Sequence, residues 1–122
     1  MVNVWGYLDE YENEKEEIHN AIVEVLESGQ LILGPKVKKF EEDFSKWCEA
    51  KYSVGVANGT DAIFLGLKAL NITKGDEVIT VSNTAVPTVS AITATGAKPV
   101  FVDIDPKTYL MDVEQVPSAL SK

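Results

Sequence analysis

The sequence predicts an α/β protein: a parallel βαβαβ run preceded by two N-terminal helices. Short runs rich in β-branched residues stand at 52–57, 77–81 and 99–104. Stretches long enough for crossover helices, 62–70 and 85–95, separate them, as parallel strands require. Ahead of these, apolar residues recur at spacings of three and four in two segments bounded by helix-terminating residues.

The elements follow in order. Residues 1–8 hold Val2, Val4, Trp5, Tyr7 and Leu8, an apolar arm that docks on something, with Trp5 and Tyr7 as core or interface. From 11 to 28, Ile18, Ala21, Ile22, Val25 and Leu26 fall on one face of an amphipathic helix, and Gly29 caps its end. A short apolar connector, Gln30-Leu31-Ile32-Leu33, leads to Gly34-Pro35, where proline opens the next helix at the position whose missing N–H is not needed. Val37, Phe40, Phe44 and Trp47 form its apolar stripe.

The first strand is expected at 52–57. Asn58-Gly59-Thr60-Asp61 then turns into a helix over 62–70, whose composition implies burial over most of its surface, with Thr60 or Asp61 as its N-cap. The run Glu77-Val78-Ile79-Thr80-Val81 reads as a strand buried on both faces. The uncharged stretch 85–95 reads as a second buried helix, capped by Asn83 or Thr84, with Pro87 in its first turn and Gly96 at its end. After the third strand at 99–104, a loop enters a helix at Asp112 that Pro117 interrupts or restarts.

Composition bounds the function. At 122 residues, 45% hydrophobic and 25% charged, the chain is an ordinary globular domain. Its net charge of -8 argues against nucleic acid and against an anionic membrane surface. Part of that acid lies in 9–17, read as a solvated helix start. No window approaches the roughly 18 consecutive apolar residues of a membrane span. The lone Cys48 cannot form an intramolecular disulfide and is expected as a buried structural thiol in a reducing cytoplasm. The lone His19 lies on the charged side of its helix, so no metal site is expected. Asp103 and Asp105 are expected to cap a strand end and form a turn, and no Ser-His-Asp or Cys-His arrangement is present.

The chemically suggestive stretch is 53–70. A strand leading through a small polar turn into a helix leaves the first helical N–H groups pointing outward, and those donors, with the helix dipole, favour a phosphate. A capped turn with no ligand accounts for the same residues. The P-loop pattern GxxxxGK[ST] and the dinucleotide pattern GxGxxG are both absent.

Five blocks in order sharpen the choice: Leu26-Glu27-Ser28-Gly29, Ile32-Leu33-Gly34-Pro35, Val54-Gly55-Val56-Ala57-Asn58-Gly59-Thr60-Asp61-Ala62, Gly75-Asp76-Glu77-Val78-Ile79-Thr80, and Gly96 through Asp105. Together they resemble the opening third of the DegT/StrS family of sugar-nucleotide aminotransferases, fold-type I enzymes that use pyridoxal 5'-phosphate. The resemblance implies that residues 36–122 begin the cofactor-binding large domain and that 1–35 form an N-terminal arm and helix, all within one partial domain. It further implies that Asn58, Gly59 and Thr60 bind the cofactor's phosphate. Ala85 falls where the family often has an aromatic residue or histidine on the pyridine ring, so stacking by that side chain is lost and binding leans on other contacts.

In this family glutamate gives the amino group and a nucleotide-linked keto sugar receives it. The lysine that holds the cofactor as a Schiff base and the acid that pairs with its ring nitrogen are expected beyond Lys122, so no catalytic residue is assigned here. The chain is then the N-terminal part of an aminotransferase, inactive alone, in polysaccharide or deoxysugar biosynthesis. It is expected to associate with itself as a homo-oligomer or with a missing C-terminal portion. The alternatives are a non-catalytic module that binds pyridoxal phosphate or another phosphate ester, and an oligomerisation piece.

Overall fold

The computed structural model describes residues 6–121, and Trp5 therefore lies outside the described residues. The chain forms two compact units, Met1–Gly55 and Val56–Lys122.

In the first unit, α1 spans Tyr7–Ser28. Gly29 ends it in the left-handed conformation, φ 68°, with its N–H donated to the Leu26 carbonyl, as a residue without Cβ does at no steric penalty. The helix has no buried residue: Tyr7 is exposed, and so are Ile18, Ile22 and Leu26 of its apolar face. His19 is exposed and meets the Tyr11 hydroxyl at 3.0 Å. α2 spans Pro35–Trp47 and has Pro35 at its first position. Phe40, Phe44 and Trp47 line one side of it, with ring centroids 5.6 and 5.7 Å apart. On its polar surface Lys39 and Asp43 pair at 2.6 Å; their hydrogen bond raises the lysine pKa and lowers the carboxyl pKa. Cys48, expected to be buried, is an exposed free thiol, because it follows the last turn of a helix whose apolar stripe is itself uncovered.

Residues 52–57 form no strand and, among the described residues, pair with none, which corrects the expected first strand. Their nearest partner is α2: Ser53 Oγ donates to the Glu41 carbonyl at 2.6 Å and the Gly55 N–H donates to Glu41 Oε1 at 2.7 Å. Val54 is 79% exposed, so the segment has neither the ladder nor the cover a strand needs.

The second unit contains α3 (Gly59–Ala69), β1 (Glu77–Val81), α4 (Val86–Ala94), β2 (Lys98–Val102), a 3-10 turn at Val113–Gln115 and α5 (Val116–Ala119). β1 and β2 pair in parallel, Glu77 opposite Lys98 through Val81 opposite Val102, and the connection between them carries α4. The expected βαβαβ run is thus a single βαβ unit preceded by a helix, still α/β and parallel. α4 packs on α3 and on β2, and α5 packs on β2. The core is Ala91, Ile92, Ala97 and Val102, together with Thr80 and Thr95. The Thr95 hydroxyl donates to the Ile92 carbonyl at 2.7 Å and accepts from the Ala97 N–H at 3.2 Å, which closes α4 and launches β2.

Burial falls short of the sequence expectation in three places. α3 has no buried residue, α4 buries only Ala91 and Ile92, and β1 buries only Thr80 rather than both faces. Two strands offer one small sheet, too little surface to cover elements this apolar. Asp112 caps the 3-10 turn, and Pro117 sits in the first turn of α5, restarting the helix. Among the described residues no helix is long and apolar enough to cross a membrane.

Candidate functional site

The site is the start of α3. Asn58 is its N-cap: its backbone is extended, φ -165° and ψ 174°, and its side-chain oxygen accepts the Asp61 N–H at 2.9 Å. This corrects the expectation that Thr60 or Asp61 caps the helix. A cap must sit outside the helical conformation with its side chain free to accept from an amide two or three residues further on, and Gly59, Thr60 and Asp61 are already helical. The Ala62 N–H donates to the Asn58 carbonyl at 3.1 Å, the first bond of the helix ladder.

Two donors are left over. Among the described residues, the Gly59 and Thr60 amides donate to no backbone or side-chain acceptor. A Cβ placed on Gly59 would meet no atom within 4 Å. Thr60 adds a hydroxyl on a half-buried side chain. Two amides and a hydroxyl at the positive end of a helix dipole suit a phosphate ester, at about 1.5–3 kcal/mol for each hydrogen bond to a charged group.

Ala85 stands at the start of the neighbouring helix. It is the N-cap residue of α4, exposed, with φ -68° and ψ 144°, and its carbonyl accepts the Thr88 N–H at 3.0 Å. Neither Asn83 nor Thr84 caps α4, contrary to expectation; the Thr84 hydroxyl meets the Thr88 hydroxyl at 2.9 Å instead. Asn58, Gly59 and Thr60 thus form one continuous feature, while Ala85 belongs to the start of a second helix that packs on the first. Sequence reasoning missed Asp61 as the partner of the Asn58 cap. The signal was present in the Asn-x-x-Asp spacing before an apolar run, which is that of a capping box.

The two acids at the end of β2 do structural work. Asp103 Oδ1 accepts the Ile104 N–H at 2.8 Å, and Asp105 Oδ1 accepts the amides of Lys107 at 2.6 Å and Thr108 at 3.2 Å. Among the described residues no cluster of His, Cys, Asp or Glu is placed to hold a metal.

A parallel βαβ unit with two unpaired amides at a helix start defines an α/β protein with a candidate ligand site. The chain belongs to the DegT/DnrJ/EryC1/StrS aminotransferase family, which it matches over residues 12–122. It is 48% identical over 118 residues to the dTDP-3-amino-3,4,6-trideoxy-alpha-D-glucose transaminase of Micromonospora megalomicea subsp. nigra, a match covering 97% of this chain and 32% of that one. The solved structure of DesV from S. venezuelae superposes with a TM-score of 0.90 at 40% identity, over 93% of this chain and 30% of that one. NtdA from Bacillus subtilis, solved with bound cofactor PMP, superposes with a TM-score of 0.87 at 38% identity, over 89% of this chain and 25% of that one. The chain therefore spans about a third of the length of the curated relatives it matches.

Proposed function

We propose that this chain is the N-terminal part of a pyridoxal-phosphate-dependent aminotransferase that moves an amino group from glutamate to a nucleotide-linked keto sugar. The observation that carries the reading is the pair of unpaired amides at Gly59 and Thr60 in a member of this family. When bound, pyridoxal phosphate supplies an electron sink for the carbon whose amino group is exchanged. The Gly59 and Thr60 amides and the Thr60 hydroxyl hold its phosphate, and Asn58 keeps those donors in place by capping α3. Ala85 contributes a methyl group to the ring site and no aromatic face.

The lysine and the acid that complete the chemistry belong to the remaining length of such an enzyme, so this chain alone does not transaminate. Residues 1–35 serve as arm and first helix, and 36–122 begin the large domain. The uncovered face of α1, with Ile22 52% and Leu26 60% exposed, supports assembly with a second copy or with that remaining length. A lone cysteine supports a reducing, cytoplasmic setting.

The test is a titration with pyridoxal phosphate, competed by inorganic phosphate, on the wild type and on Thr60→Val. Competition by phosphate and a loss of about ten- to a hundredfold in affinity on removing the hydroxyl are expected, about 1.5–3 kcal/mol for one hydrogen bond to a charged group. Binding that inorganic phosphate does not displace overturns the assignment of the cradle.

A further inference from the structure

Asn58 is the one asparagine of this chain followed by glycine: Asn3, Asn13, Asn20, Asn71 and Asn83 precede valine, glutamate, alanine, isoleucine and threonine. An asparagine side-chain amide is open to attack by the nitrogen of the next peptide bond. The rate depends on how freely that nitrogen approaches the side-chain carbon. Glycine obstructs the approach least, having no Cβ and the widest choice of backbone angles.

The fold leaves this junction reactive. Asn58 and Gly59 are both exposed, so water and base reach them. Among the described residues the Gly59 N–H donates to no acceptor, and its nitrogen is therefore not tied into the helix ladder that begins one turn later. Asn58 itself is extended, φ -165° and ψ 174°, outside the helical conformation. Its side-chain carbonyl is polarised as well. The Asp61 N–H donates to Asn58 Oδ1 at 2.9 Å, within the distance at which a donor stabilises negative charge developing on an attacked carbonyl oxygen.

We propose that Asn58-Gly59 is a site of spontaneous deamidation in the folded chain. The Gly59 nitrogen gives its proton to solvent base and bonds to Asn58 Cγ. The Cγ–Nδ2 bond then breaks, ammonia leaves, and a cyclic imide closes between the two residues. Water opens the imide at either carbonyl, yielding aspartate, or isoaspartate with the main chain running through the former side chain. One water is consumed and one ammonia released, with no oxidation or reduction. In the folded chain Asn58 Nδ2 donates to Asp61 Oδ2 at 3.2 Å, and in the aspartate product two carboxylates meet there instead. The new charge also lies beside the Gly59 and Thr60 amides, where it opposes an anion. That consequence rests on the phosphate reading of those amides, whereas the deamidation does not.

The experiment incubates the full chain at mildly alkaline pH, one sample folded and one unfolded in urea. Peptide mass spectrometry and labelling by an isoaspartyl methyltransferase then follow every asparagine with time. In the folded sample isoaspartate is expected at residue 58, formed about tenfold or more faster than at any other asparagine, a barrier lower by about 1.4 kcal/mol. Gly59→Ala is the control. Its added Cβ meets nothing within 4 Å and alanine favours a helix, so the variant is expected to melt with the wild type. Its deamidation at Asn58 is expected to be about tenfold slower. Isoaspartate at 58 in the urea sample alone overturns the proposal, because the folded cap then shields the amide. A folded-state rate at 58 no faster than at the other asparagines, or unchanged by Gly59→Ala, overturns it equally. Neither result bears on whether inorganic phosphate displaces pyridoxal phosphate, which tests the phosphate reading separately.

Discussion

Replacing Gly59 by valine separates the ligand site from the fold. A Cβ at this position meets nothing within 4 Å, so the added side chain starts in open space. Residue 59 is the first residue of α3, and valine is the better helix former by a few tenths of a kcal/mol. The melting temperature is therefore expected to change by no more than about 1–3 °C. Binding behaves differently. Cα–Cβ bonds in a helix lean toward its N-terminus, which here is the face where the Gly59 and Thr60 amides are open. A branched side chain there blocks close approach of an anion and removes at least one charge-assisted hydrogen bond, about 1.5–3 kcal/mol, a loss of about ten- to a hundredfold in affinity. The assay pairs a circular-dichroism melt with a pyridoxal phosphate titration competed by inorganic phosphate. A Gly59→Val protein that melts with the wild type and binds with unchanged, phosphate-sensitive affinity refutes the reasoning.

Three further outcomes concern the second unit. Ile92 is 2% exposed, so Ile92→Ala should destabilise the unit by about 2–5 kcal/mol in urea unfolding, and a loss below 1 kcal/mol would place the core elsewhere. Gly96 has φ +91°, and an added Cβ would lie 3.2 Å from the Lys74 backbone nitrogen; Gly96→Ala is expected to lower stability by about 1–3 kcal/mol, measured by the same unfolding curve. Glu77 bonds Lys98 across the parallel pair at 2.8 Å, and that bond, with one from Ser121, lowers its pKa below the ordinary carboxyl value. The stability this contributes is present above the carboxyl's unfolded-state pKa and is lost as pH falls through the lowered folded value. Melting curves of Glu77→Gln from pH 6 to pH 3 should therefore fall less steeply with acid than those of the wild type; parallel curves would show the pair contributes nothing.

How legible each feature was in the sequence follows from how local its cause is. Gly29 ends α1 and Pro35 opens α2 as expected, because a left-handed cap and a missing N–H are settled by one residue and its own turn. The turns at Asp103 and Asp105 were legible for the same reason: a short carboxylate finds amides one to three residues on. The choice of Asn58 over the expected Thr60 or Asp61 as cap was legible only in part, through the Asn-x-x-Asp spacing. It depends on which residue first adopts helical angles, and a shift of one position hands the role to a neighbour.

By itself the sequence determined the α/β class, the parallel β1–β2 pair with its crossover helix, the polar turn that becomes the start of α3, and membership in the aminotransferase family through five ordered blocks. Only the tertiary structure decided that 52–57 stays unpaired against Glu41, that α3 has no buried residue, that Cys48 is exposed, and that Asn58 and Asp61 hold each other. A strand or a buried face exists only when a partner distant in sequence supplies hydrogen bonds and cover, and a composition that calls for burial carries no information on whether that partner lies within these residues.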